Sequence, residues 1–394
     1  MKFSQIHHMP YTGIDEAGLG WPISNRRFDG QKAVDLFRTY LEVKAQAEDC
    51  GFDEIGSNEH HMSPFGMMPN PNLIGAALIE RTRRVRIFQC GNLVPLINPL
   101  RIAEEYAMLD VMSGGRVTAG LMRGIPHEYV AYNIPPDESW GRMREAVELI
   151  LKAWTEPEPF GWEGEHFKFR AVAIWPKPVQ IPHPPLVMSG GSQSSARFAA
   201  EFRAIMGILR VTDLGQAREL IAIYREQARA DGWEAGPDRF MVGLPTAVGE
   251  TFAEAKRVMT EGTRYFFDVL QGGINRAQQI VLRQTKFNAG DRNIRPLDRD
   301  QQMKVLPVEE RIERGQILCG TPDMIVDQIR RLHAELGHGH MNLIVKIGNM
   351  PDDFVSRGMT LLRDHVFPHV RGLGEPAAKS PGQARPQDQA HASS

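Results

Sequence analysis

Cysteine is scarce in this 394-residue chain, with only Cys50, Cys90 and Cys319 present. None lies in a Cys-x-x-Cys pair, which excludes a disulfide framework and thiolate zinc spacing, and the count fits a reducing cytoplasm. No uncharged run reaches the roughly 18 residues of a membrane span. The opening MKFSQIHHMP lacks the apolar stretch of a secretory signal. A net charge of −2 leaves no field that would draw the chain to nucleic acid or an anionic membrane. Arg81, Arg83, Arg84 and Arg86 form the one dense basic cluster, read as a solvated helix end rather than a phosphate patch. Gly-x-Gly-x-x-Gly does not follow the first apolar run, no Gly-Lys-[Ser/Thr] closes a phosphate loop, and neither a paired HxH nor an HExxH pattern accompanies His60 and His61. These absences argue against a dinucleotide-binding open sheet, a P-loop nucleotidase and a zinc site.

What is present is a repeat of short apolar runs and amphipathic stretches. Strands are predicted at Lys2–His8, Asp53–Ser57, Arg86–Leu93, Val117–Met122, Leu186–Ser189, Ala204–Leu209, Phe240–Thr246 and Met341–Ile347. Helical patterns between them include Ala33–Asp49, Asn98–Met112, Arg142–Trp154, Ser195–Phe202, Leu214–Ala230 and Pro322–Leu336. Parallel neighbours need helical crossovers, and eight such units favour a closed α/β barrel, the (β/α)8 TIM fold, over an open sheet. Residues 1–373 are expected to form this one domain, with insertions near 160–185 and 266–315. The first insertion opens with hairpin-like alternation and ends in a proline-rich connector; the second is long and polar, and is expected to fold over the barrel mouth. Residues 374–394, rich in Pro, Ala, Gln and Ser, are expected to be a disordered tail.

Four groups with chemical potential fall at strand ends, where barrel active sites lie. Glu59-His60-His61 follows the second strand; alternation lets only one of the two histidines face the mouth. Arg123-Gly124-Ile125 follows the fourth, where an arginine fork either binds an anion or closes an ion pair. Ser189-Gly190-Gly191-Ser192-Gln193-Ser194-Ser195 joins the fifth strand to a helix, and is either a phosphate cradle or an ordinary N-cap. Gln89-Cys90-Gly91-Asn92 ends the third, where Gly91 either admits a flat ring against backbone or relieves crowding between strands.

Taken in order, with Asn98-Pro99, the helix RIAEEYAMLDVMSGGR, the turn before ARFAAE and Cys319-Gly320-Thr321-Pro322, these residues resemble the bacterial luciferase-like flavin monooxygenases. The resemblance implies a luciferase-like TIM barrel with reduced FMN at its mouth, delivered by a separate flavin reductase. It implies that Arg123, Gly191, Ser192 and Ser195 bind the FMN phosphate with backbone help from Ile125. Cys90, Gly91 and Asn92 would support the ring, often through a non-proline cis peptide, and His60 would be the catalytic acid or base. His7, His8 and Met9, at the end of the first strand, would face substrate. The implied reaction is insertion of one oxygen atom from O2 into a small organic substrate through a flavin 4a-hydroperoxide, in a cytoplasmic homodimer. Met122 replaces the reactive cysteine of the luciferases, and Pro126-His127-Glu128-Tyr129 also differs, so light emission is not implied. The alternatives are hydride transfer with a deazaflavin, a non-catalytic flavin-binding subunit and a metal-dependent barrel hydrolase.

Overall fold

The computed structural model describes residues 1–14, 20–209, 211–287 and 306–374; the tail from 375 and the centre of the second insertion lie outside these ranges. The strands are β1 (Lys2–His7), β2 (Glu54–Ser57), β3 (Arg86–Leu93), β4 (Val117–Met122), β5 (Phe160–Glu163) and β6 (Lys168–Val172). They continue with β7 (Leu186–Ser189), β8 (Ile205–Ile208), β9 (Phe240–Val248), β10 (Leu318–Gly320) and β11 (His340–Lys346). Hydrogen bonding runs β9-β11-β1-β2-β3-β4-β7-β8, and β8 pairs back to β9, so eight parallel strands close a barrel. The expected TIM-type α/β fold is therefore present. β10 adds a feature not expected from sequence: it pairs with the last three residues of β9, Thr246 to Val248, beyond the span shared with β11. The first insertion forms the antiparallel β5–β6 hairpin.

The helices are α1 (Gly30–Asp49), α2 (Pro71–Arg81), α3 (Pro99–Ser113), α4 (Pro126–Ala131), α5 (Ser139–Thr155), α6 (Gln193–Glu201) and α7 (Leu214–Ala230). After them come α8 (Phe252–Tyr265), α9 (Gly272–Gln284), α10 (Val308–Glu313), α11 (Pro322–Leu336), α12 (Asp352–His365) and α13 (Phe367–Val370). Their starts are written locally. Asn70 and Asn98 cap α2 and α3 through their side-chain oxygens, each followed by a proline whose missing N–H costs nothing there. Gly114, at φ 66°, ends α3 in the left-handed conformation that a side chain would disfavour. At the end of α2, Arg81 and Arg83 bond to the last-turn carbonyls, and Glu48 accepts from the backbone N–H groups of Arg83, Arg84 and Val85. Arg81, Arg83 and Arg84 are thus a capped helix end, whereas Arg86 opens β3 and bonds to Thr118 and Gln180.

Two apolar layers divide the work. One lies between the strands and the helical shell. The other fills the barrel and includes Ile6, Phe88, Val187, Met241 and Ile344. Beneath this inner layer Ser4 Oγ donates to Glu54 at 3.1 Å and lies 2.6 Å from His340 Nε2, while Thr118 donates to Glu54 at 2.9 Å. This polar plug closes the N-terminal end, because each buried hydrogen-bonding group has found a partner across strands. No helix among the described residues is long and apolar enough to cross a membrane.

Candidate functional site

At the opposite end, a cavity of about 470 Å³ opens among the C-terminal ends of the strands. Alternation along β1 explains part of its wall. Ile6 and His8 line the cavity, whereas His7 points outward between the barrel and the helices. His7 is fully buried, its Nε2 3.7 Å from Asp352, and burial pulls its pKa down to about 3 despite that carboxylate. Met9 is buried in the outer core with φ 50°, and its N–H donates to His7 Nδ1. Of the three residues expected to face substrate, only His8 lines the cavity.

The ring-supporting segment divides in the same way. Cys90 and Gly91 line the cavity and are joined by a cis peptide. Asn92 turns away and exchanges two hydrogen bonds with the Asn72 amide of α2, each 3.0 Å. The register of β3 on β4 slips between Gln89 and Asn92. A Cβ on Gly91 would meet Gly120 O at 2.4 Å, and one on Gly120 would meet Gln89 O at 1.9 Å. Close approach of two strands therefore requires Gly91.

Arg123 lines the cavity between two rings, its guanidinium carbon 4.0 Å from the Phe287 centroid and 4.5 Å from that of Trp140. Its Nη1 also donates to Ser139 Oγ and Phe287 O. Aromatic faces and these two hydrogen bonds fix the plane of the guanidinium on the cavity wall. Ser192 caps α6: its Oγ accepts from Ser195 N, and Ser195 Oγ accepts from Ser192 N at 2.8 Å. This is a reciprocal cap, and it puts the N-terminus of a nine-residue helix on the cavity wall. Beside it, a Cβ at Gly191 would find only Ser189 Oγ, 3.8 Å away, so open space adjoins the backbone there. Ile125 lines the cavity too, with its N–H bound to Glu128 Oε2.

The two histidines after β2 part company. His60 lines the cavity, and its Nδ1 lies 3.1 Å from Glu128 Oε1. Burial alone would raise the Glu128 pKa, but the hydrogen bond and charge of His60, with His127 and the Ile125 N–H, hold it below the usual glutamate range. Glu128 is therefore a carboxylate that accepts the His60 Nδ1 proton and leaves Nε2 as the free ring atom. His61 is buried away from the mouth against Glu59 Oε1 at 2.8 Å. Phe65 packs on both His8 and His60, at 5.1 and 4.6 Å between ring centroids.

Several residues in or behind the wall escaped the sequence reading. Glu128 left one signal: it stands three residues after Ile125 at a proline-started helix, the position from which a glutamate folds back on the N-cap N–H. Asn58 and Asn342 carry side-chain oxygens that are buried in the cavity wall without a hydrogen-bond partner. Single asparagines have no motif. From the second insertion, α9 brings Asn275, Gln278 and Leu282 to the cavity, spaced so that one helix face lines it. Among the described residues no group of three His, Cys, Asp or Glu side chains is placed to hold a metal ion.

The family model for luciferase-like monooxygenases matches residues 19–339. The chain belongs to this family. The oxygenase component of the flavin-dependent trigonelline monooxygenase of Acinetobacter baylyi is a similar family member, 30% identical over 204 residues, or 51% of this chain and 52% of that protein. The alignments span about half the length of the curated relatives matched first. Solved luciferase-like structures cover more. A monooxygenase of Streptomyces bottropensis superposes with TM-score 0.73 and 25% identity over 94% of this chain and 99% of its own. The oxygenating constituent of 3,6-diketocamphane monooxygenase from Pseudomonas putida, in complex with FMN, gives 0.70 and 23% over 90% and 98%.

Proposed function

We propose that this chain is the oxygenase component of a two-component flavin-dependent monooxygenase. It takes reduced FMN from a separate flavin reductase and uses O2 to place one oxygen atom in a small organic substrate. The observation that carries this reading is a single cavity walled by an arginine held between rings, a serine-capped helix N-terminus and a carboxylate-held histidine. Membership of the luciferase-like family supports it, as does the FMN in the diketocamphane enzyme.

The residues present fit the cofactor. A cavity of about 470 Å³ lies within the size range of cofactor sites. Arg123 and the α6 N-terminus suit a phosphate, with the open backbone at Gly191 giving it room. The unpartnered oxygens of Asn58 and Asn342 call for N–H donors, which an isoalloxazine imide offers. Bound reduced flavin supplies the electrons that activate O2. His60, its Nδ1 proton held by Glu128, takes up or returns a proton through Nε2. Ile6, Phe65, Leu93, Met122 and Ile344 keep the wall apolar and limit water.

The test is anaerobic titration with reduced FMN, then mixing with O2 and candidate substrates. Tight binding and substrate-dependent incorporation of labelled oxygen are expected. Arg123→Ala should weaken FMN about 10- to 100-fold, the cost of a charged hydrogen bond. Oxygen-independent turnover with a reduced deazaflavin would instead establish the hydride-transfer alternative.

The homodimer belongs to the same proposal. Met108, Val111 and Met112 are exposed on one face of α3, and Leu73 is exposed on the α2 helix packed beside it. Apolar side chains grouped in this way favour cover by a second copy.

A further inference from the structure

Helix α9, which comes from the second insertion, crosses the mouth of the cavity and is held at both ends. On the His60 side, Leu270 O, just before the helix, accepts from Ser63 Oγ at 3.4 Å. There the Phe266 ring lies 5.1 Å from Phe65, which packs on His60. On the Arg123 side, the Lys286 N–H donates to Asp137 at 2.5 Å and Phe287 O accepts from Arg123 at 2.9 Å. The 13 residues of α9 rise about 1.5 Å each, so the helix spans about 20 Å between these anchors. Gln271, Asn275, Gln278 and Leu282 recur at four-three-four spacing and line the cavity, while Arg276 and Arg283 are exposed on the other face. Among the described residues nothing hydrogen-bonds the side-chain amides of Asn275 and Gln278. The charged groups of the described wall are already engaged. Glu59 is bound by His61 and the Leu93 N–H, His60 by Glu128, and Asp213 by the Gln216 N–H. Arg123 lies at the far end between its two rings, and His8 packs against Phe65 and Phe266.

We infer that the cavity face of α9 selects the substrate, and that this substrate is an uncharged organic molecule bearing a carbonyl or hydroxyl group. The inference deepens the proposed monooxygenase reading and rests on it for what becomes of the bound molecule. A side-chain amide offers two N–H donors and a carbonyl acceptor at no net charge. Asn275 and Gln278 thus donate to a carbonyl or accept from a hydroxyl. An ion is treated differently. Leaving water penalises it heavily unless an opposite charge answers, and the α9 face supplies none. An anion also meets the Glu128 carboxylate behind His60. Asn275, one turn into the helix, serves the His60 end of the cavity, and Gln278 serves its middle. Ile6, Phe65 and Ile344 take the apolar remainder of the molecule.

The experiment uses three probes that share one ring: acetophenone, benzoate and phenyltrimethylammonium. Their binding to the full-length protein is read by saturation-transfer NMR titration in phosphate buffer, so that inorganic phosphate satisfies Arg123 and the α6 N-terminus. Acetophenone should bind about ten-fold more tightly than either ion, because only the ions lose hydration without a counter-charge. Asn275→Leu and Gln278→Leu keep side chains of similar reach and remove the amide. Each should weaken acetophenone about three- to ten-fold, the loss of one neutral hydrogen bond. Toluene, which keeps the ring without the carbonyl, should bind wild type and variants alike. Acetophenone binding no tighter than that of either ion, absence of binding by all three included, overturns the uncharged substrate. Acetophenone affinity that is unchanged in both variants, or lost together with that of toluene, overturns the part played by the α9 amides. A wild-type protein that binds no reduced FMN sinks the monooxygenase reading, while the probe series still decides what α9 selects.

Discussion

His60 is oriented by a carboxylate 68 residues downstream. The histidine is visible in the sequence because it follows a strand, but its tautomer is set by Glu128, which arrives from another element. Lys44 shows the reverse case, a charge whose burial brings a cost. It is fully buried on α1, donates to Gly56 O at 2.5 Å, and burial pulls its pKa down to about 7. Between that value and the unfolded value near 10.4, the unfolded chain holds a proton that the native chain has released, so stability rises with pH. Denaturant unfolding from pH 7 to 9 should show this rise, with a slope of up to about 1.4 kcal/mol per pH unit. In Lys44→Met the slope should be flatter; equal slopes in the two proteins would refute the assignment.

At the scale of elements, the strand pair β3–β4 is the least forgiving part of the barrel. Gly120 faces the Gln89 carbonyl so closely that a methyl group would sit 1.9 Å from it, and the obstacle is backbone. Gly120→Ala should cost about 2–4 kcal/mol, as overpacking against an immovable neighbour does, read as a fall in the unfolding midpoint. A midpoint within experimental error of wild type would show that the strands can separate freely. Most barrel strands were legible because they are short apolar runs between capped helices. β10 was not: three residues carry no period. α2 is faint for a different cause, since PNLIGAALIER is apolar on most sides and offers little contrast between faces. Of the site, Arg123, His60 and the serine turn could be read from strand-end position. Asn58 and Asn342 could not, because only the closed barrel brings their unpartnered oxygens to one cavity. His7 and Met9 were drawn into the site by adjacency to His8, and the two-residue period of β1 separates them.

For the whole molecule, the α2–α3 surface and the cavity are separate features. Asn72 joins them: it meets Asn92 at the end of β3 and Glu105 on α3. A partner covering α3 would therefore press on the helix that braces the cavity floor. Val111→Glu should convert a dimer to monomer in light scattering, since a carboxylate would be buried at the centre of the apolar face. A wild-type protein that runs as a monomer at tens of micromolar would refute the homodimer.

The polar plug of Ser4, Glu54, Thr118 and His340 fills the N-terminal end of the barrel, so among the described residues the cavity is reached from the C-terminal end. Whatever lies deepest must arrive first and leave last. On the proposed reading, a cofactor seated against Cys90 and Gly91 beneath a substrate closer to the rim would impose a compulsory order of loading, in which early substrate blocks the way down. Excess substrate should then act as its own inhibitor, and turnover should be paced by the clearing of the doorway.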